Sequence, residues 1–234
     1  MKRKVFLVAL AICLIATISM GSLAWFTAQD GVDNTFLIAD SNANENDVFS
    51  IDLYEMKDTD GDGVGDTKTD YGIVYGDNNE VVPGAELCKE AYVKNTGKYG
   101  QYVRIKATIS DASKWMTVLG INNINQFVNL NELFDVAADF DTTWYRNDAE
   151  SNYDTQNDKL TYVYYYNGIL EATDVVSFID GVIIPEAITR ADVVAMGGSF
   201  ELDFVAEAIQ STNMLDVYGA IEYQNAIASF DVID

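Results

Sequence analysis

The chain has 234 residues, with 37 acidic against 14 basic side chains and a formal net charge of −23. That charge excludes electrostatic attraction to nucleic acid or to an anionic bilayer and favours cations. Histidine is absent, which removes the Ser-His-Asp and Cys-His arrangements and the HExxH zinc site, while 49% hydrophobic and 12% aromatic residues argue for a packed core rather than disorder.

The N-terminus reads as an export leader. Lys2, Arg3 and Lys4 form a positive n-region, and residues 5–20 form an apolar h-region of signal-peptide length. Ser22 and Ala24 are the small residues required before a cleavage point, which places the cut between Ala24 and Trp25. The rival is an uncleaved anchor, since residues 5–26 approach the roughly 20 apolar residues of a spanning helix. Thr17, Ser19, Gly21 and Ser22 dilute its last turns and favour cleavage. Cys13 lies mid-run after Ile12, the wrong place for a lipidated cysteine. Cleavage leaves Cys88 as the mature chain's sole cysteine, so no internal disulfide is expected. Cys88 reads as a half-buried strand residue or as a thiol that pairs between chains.

The expected organisation is a signal peptide over 1–24, an N-terminal arm with the first strand over 25–40, and a β-domain over 41–234. Residues 25–34 show no clear periodicity, and 34–40 read as a short strand. Residues 48–55 alternate, with Phe49, Ile51 and Leu53 on one face. A Gly/Asp-rich loop spans 57–70, and a short strand is expected over 71–75. Pro83-Gly84 marks a turn. Residues 86–94 and 99–110 read as strands joined at Asn95-Thr96-Gly97 into an antiparallel hairpin. In the second of these, Val103, Ile105, Ala107 and Ile109 point inward, and Arg104, Lys106 and Thr108 outward.

Residues 125–140 fit a helical stripe loosely and predict a short inserted helix. Aromatic strands are expected over 142–146 and 160–166, the second with aromatics on both faces or as a sugar- or strand-pairing surface. Residues 174–184 form an apolar run, and 199–209 alternate with Phe204, Ala206 and Ala208 on one face. Residues 216–230 predict a terminal helix. Many short alternating runs between turn signals argue for an all-β sandwich. The C-terminus shows no wall-sorting signal, so retention at a surface is expected to be non-covalent.

The loop Asp58-Thr-Asp60-Gly-Asp62-Gly-Val64-Gly-Asp66 carries the one local motif with site chemistry. It matches D-x-D-x-D-G, the opening of a calcium-binding loop. Calcium takes six to eight hard oxygens. Asp58, Asp60 and Asp62 are the alternate carboxylates of such a loop, Val64 offers its carbonyl, and Asp66 falls at position 9. Thr69 stands where the usual bidentate Glu would be, so the loop is closer to an extracellular aspartate-rich site than to a signalling EF-hand. The plainer reading is a solvated acidic turn. A structural Ca²⁺ would bind at about 10⁻⁴–10⁻³ M.

An ordered series of motifs resembles the TasA/camelysin family of Gram-positive bacteria. It comprises Gly21-Ser-Leu-Ala-Trp-Phe-Thr27, Asn34-Thr-Phe36, Ile51-Asp-Leu-Tyr-Glu55, Val82-Pro-Gly84, Val93-Lys-Asn-Thr-Gly97, Tyr102-Val-Arg-Ile105, Tyr164-Tyr-Tyr-Asn167 and Ala206-Glu-Ala-Ile-Gln210. The resemblance implies a leader cut by a dedicated SipW-type signal peptidase, a jelly-roll-like antiparallel β-sandwich, and a secreted biofilm-matrix protein, while the absence of histidine argues against an enzyme. It implies a homo-polymer, or a polymer with related fibre subunits, in which the arm of one subunit completes the sheet of the next. Trp25, Phe26, Phe36 and Ile38 are the arm's candidate anchors, or pack on their own domain. The alternative is a monomeric, calcium-stabilised binding or adhesion module. The loop over 57–70 lies outside the family pattern, and the proteolytic activity ascribed to camelysin is not carried over to a chain without histidine.

Overall fold

The computed structural model describes residues 27–31, 34–36, 49–60, 64–69, 84, 86–118, 134–135, 139–184, 186, 189, 191–192, 201–211 and 222–232. The leader with its cleavage point, the anchors Trp25, Phe26 and Ile38, Asp62 and the strand expected over 71–75 lie outside those residues.

The described chain is all-β with few short helices. Its strands are β1 (Thr27–Gly31), β2 (Asn34–Phe36), β3 (Ile51–Lys57), β4 (Thr67–Thr69), β5 (Glu86–Leu87), β6 (Glu90–Asn95) and β7 (Gln101–Ile109). They continue as β8 (Phe134–Asp135), β9 (Trp144–Arg146), β10 (Asn152–Asp154), β11 (Lys159–Tyr166), β12 (Val175–Ile179), β13 (Gly181–Ile183) and β14 (Leu202–Gln210). The helices are α1 (Ala112–Val118), α2 (Phe140–Thr143) and α3 (Glu222–Phe230).

The larger sheet has seven strands in the order β10-β11-β7-β14-β1-β2, with β9 also along β11. A four-stranded sheet runs β12-β6-β3-β4, and a small one β5-β13-β8. All pairings among the described strands are antiparallel. Period-two alternation decides which face each strand buries. Ile51 and Leu53 of β3 and Ala91 and Val93 of β6 meet Val103, Ile105 and Ala107 of β7 and Phe204 and Ala206 of β14 in one buried core between the two main sheets. Phe178 is its aromatic hub, with ring centroids 5.2 Å from Trp144 and 5.4 Å from both Tyr164 and Phe204. Such edge-on pairs add about 0.5–1.5 kcal/mol each beyond area burial.

The hairpin expected across Asn95-Thr96-Gly97 does not form. β6 pairs with β3 and β12, while β7 pairs with β11 and β14, so this turn carries the chain from one sheet to the other. Nor is 125–140 one helix: Phe134 and Asp135 pair with β13, and among the described residues of this stretch only Phe140 is helical. Thr142 and Thr143 are helical, so the strand expected over 142–146 starts at Trp144. Within the arm, Thr27–Gly31 is a strand although its sequence shows no alternation.

A second cluster lies on the outer face of the seven-stranded sheet. Tyr102, Val163, Tyr165 and Ile209 are covered there by Ala226 and Phe230 of α3. Arg104 points outward as expected but is buried under that helix. Its guanidinium lies 4.2 Å over the Phe230 ring and bonds Glu207. Aromatics of β11 thus serve both faces, Tyr162 and Tyr164 inward and Tyr165 outward.

α1 begins against Asp158, a non-glycine residue at φ +53°. Ser113 donates to its carboxylate through N–H at 2.8 Å and Oγ at 2.7 Å, and the Tyr153 hydroxyl does so at 2.8 Å. Burial pushes this carboxyl up, but the bonds from Ser113 and Tyr153 outweigh it and hold the pKa below its ordinary 3.8. A lowered folded pKa contributes stability above the unfolded value, and that stability is lost as pH falls through the folded one. Ser113→Ala is therefore expected to flatten the acid limb of stability, read as thermal unfolding from roughly pH 5 to pH 2. An unchanged acid limb would show that Asp158 is not a source of it.

Candidate functional site

β3 and β4 form a hairpin with Glu55 opposite Thr69, Met56 opposite Lys68 and Lys57 opposite Thr67. The acidic loop is the connection of this hairpin, and Asp66 N–H closes its base on Lys57 O at 3.0 Å. Asp58, Asp60 and Asp66 each bring one carboxylate oxygen within 4.8 Å of the others. The Asp60 N–H donates to Asp58 Oδ1 at 3.1 Å, which curls the chain so that the two side chains share a side. Thr59 Oγ1 lies 2.7 Å from both oxygens of Asp66, and Thr67 Oγ1 donates to Asp66 Oδ1 at 2.9 Å. The Thr59 and Thr67 bonds hold the Asp66 carboxyl below its ordinary range, against the repulsion of Asp58. Asp66 thus stays anionic beside two further carboxylates.

Of the five expected ligands, the structure brings Asp58, Asp60 and Asp66 together. Val64 is present in the same loop and 60% exposed. The donor set is hard oxygen on a solvent-facing loop, which is the chemistry calcium takes and a soft metal does not. The loop is also fixed from outside. Gly65 N–H donates to Glu90 Oε1 of β6 at 2.8 Å, and a Cβ at Gly65 would stand 2.5 Å from Met56 Cβ, so only glycine fits. Glu90 lies 25 residues away in sequence, and no local spacing pointed to it. Lys68 anchors the far strand through Asp52 at 2.6 Å and lies 4.5 Å over the Tyr54 ring. Cys88 is half-buried between β5 and β6, and burial together with Glu90 pushes its thiol up, away from the reactive thiolate.

The second candidate is the edge of the seven-stranded sheet. β1 pairs antiparallel with β14 over five positions, from Thr27 opposite Ile209 to Gly31 opposite Val205. β2 folds back on β1 with Gln29 opposite Phe36, and is the outermost strand. Among the described residues, the arm is therefore an edge hairpin whose one neighbour in the rest of the sheet is β14. Among the anchor candidates, Phe36 falls in β2.

A scan against protein-family models and searches of curated proteins and of solved structures found no match for this chain.

Proposed function

We propose that the chain is an exported structural protein, a fibre or matrix subunit that assembles at the bacterial cell surface by donor-strand β-augmentation, as its resemblance to the TasA/camelysin family implies. The observation that carries this reading is the β1–β2 edge hairpin on β14. It directly follows the expected leader and is joined to the sheet as main chain is joined in any ladder. The same bonds form equally well with the arm of a neighbouring copy, so exchange costs no new chemistry. We read the sandwich as jelly-roll-like, consistent with its antiparallel sheets enclosing one core. The signal peptidase acts during export, and the protein itself works without catalysis.

In this proposal Asp58, Asp60 and Asp66, with Asp62 and the Val64 carbonyl, hold a structural Ca²⁺ that neutralises the loop and stiffens the β3–β4 hairpin. The same cluster favours the second reading, a monomeric calcium-stabilised binding module.

Electron microscopy of residues 25–234 with and without millimolar calcium tests both. Fibres are expected from the intact arm. Deleting residues 25–34 is expected to abolish polymers while leaving a folded monomer. Polymers that persist without the arm would overturn the assembly reading, and isolated particles under every condition would favour the monomeric module. Calcium dependence lost in Asp58→Ala would tie the loop to the metal.

A further inference from the structure

Tyr145 of β9 and Tyr223 of α3 lie face to face, with ring centroids 4.0 Å apart and planes 16° from parallel. Tyr145 is 39% exposed and Tyr223 half-buried, so small reagents reach the pair. Two other tyrosine pairs are more widely spaced. Tyr54 and Tyr92 stand 5.5 Å apart, with the Tyr92 hydroxyl held by Glu90 at 2.8 Å. Tyr162 and Tyr164 are 6.5 Å apart and buried in the core. The Tyr145–Tyr223 contact also bridges two elements far apart in sequence. α3 is the cover over Arg104 and Tyr165, and without it that guanidinium would lose the Phe230 ring. A mature chain whose sole cysteine is Cys88 cannot fasten this helix by a disulfide.

We propose that Tyr145 and Tyr223 form an oxidative cross-linking site, a dityrosine that staples the C-terminal helix to the seven-stranded sheet. Each phenol gives one electron and one proton to a one-electron oxidant of the peroxidase–peroxide class. The two phenoxyl radicals couple through ring carbons ortho to oxygen, forming one C–C bond. Each coupled carbon then loses its hydrogen as a proton while the phenol oxygen regains one. The net change is two electrons and two protons lost, with the peroxide reduced to water. The stacked geometry holds the rings together before reaction, so coupling within the chain outruns coupling between chains. The closed loop from 145 to 223 restricts the unfolded chain as a disulfide would. The supply of oxidant outside the cell rests on the exported reading, whereas the coupling itself does not.

The test treats the full chain with a haem peroxidase and hydrogen peroxide. The expected product is a monomer lighter by two hydrogens, with dityrosine fluorescence and a linked pair of peptides containing Tyr145 and Tyr223. Tyr145→Phe and Tyr223→Phe keep the rings and the stack but cannot form the radical, and each is expected to abolish the product. Tyr54→Phe is expected to leave it intact. No intramolecular product, or a link mapped to another tyrosine pair, would overturn the proposal. Cross-linking in a chain that never forms fibres would count against the fibre reading alone.

Discussion

Replacing Lys89 with methionine lowers the stability of the domain by about 3–5 kcal/mol, the cost of stripping one member from a buried ion pair. The position of Glu55 explains why. β3 turns Ile51, Leu53 and Glu55 to the same side, and that side is the core between the sheets. Glu55 is 1% exposed, so its carboxylate has been taken out of water. The connection between β5 and β6 brings the buried Lys89 ammonium onto Glu55 Oε1 and within 5.6 Å of the Phe204 ring centroid. Desolvation of both ions offsets most of their attraction, so the intact pair contributes little net stability. Its removal by halves is costly. Lys89→Met combined with Glu55→Leu is therefore expected to recover most of the loss, since neither charge is then buried. Urea unfolding checks both variants, through the midpoint at constant slope. A single Lys89→Met variant within about 1 kcal/mol of the parent would show that water solvates Glu55 after all.

Strands were legible where one face meets the core and the other meets solvent or a cover. β3, β7 and β14 all carry that alternation, and their inward residues are those of the core, whereas β11 was legible only as an aromatic run and is buried on both faces. Strand partners were not legible, because alternation fixes a face but not a neighbour. Asn95-Thr96-Gly97 has the composition of a hairpin turn, yet the side chain of Asn95 bonds Leu170 O across the fold and the two flanking strands join different sheets. Arg104 was read as outward, and nothing local shows that α3, more than a hundred residues later, covers it. For the acidic loop, the D-x-D-x-D-G spacing pointed to Asp58, Asp60, Asp62, Val64 and Asp66, and the fold brings Asp58, Asp60 and Asp66 together. The loop's outside anchor, Glu90, comes from a strand whose pairing could not be deduced.

Asn95→Leu, a near-isosteric change, is expected to cost about 3 kcal/mol or more, because the asparagine amide is fully satisfied and fully buried. Asn95 has 0% exposure. Its Nδ2 donates to Tyr99 O at 2.8 Å and Leu170 O at 2.7 Å, and its Oδ1 accepts from Gly97 N–H at 2.8 Å and Gln101 Nε2 at 2.9 Å. Those four bonds exhaust the hydrogen-bonding capacity of a side-chain amide. Leucine removes all four and leaves the partners in place. Gln101 Nε2 retains Ser50 O at 3.1 Å, and Gly97 N–H retains the same carbonyl at 3.1 Å. Leu170 O likewise retains Gln101 N–H at 3.0 Å, so the cost is the loss of the four side-chain bonds themselves, each contributing about 0.5–1.5 kcal/mol. The backbone of Asn95 is committed as well. It accepts from Thr173 N–H and donates to Asp174 O, both at 3.0 Å. Thr173 sits at φ +73°, a conformation that a β-branched residue adopts only when its surroundings enforce it. Loosening Asn95 therefore releases that strained turn too. Hydrogen exchange separates this account from general destabilisation: protection is expected to fall first at Gly97, Gln101 and Thr173, ahead of the β7–β14 ladder. Uniform loss of protection across both sheets would instead mean that Asn95 acts only through global stability and does not pin the crossover between them.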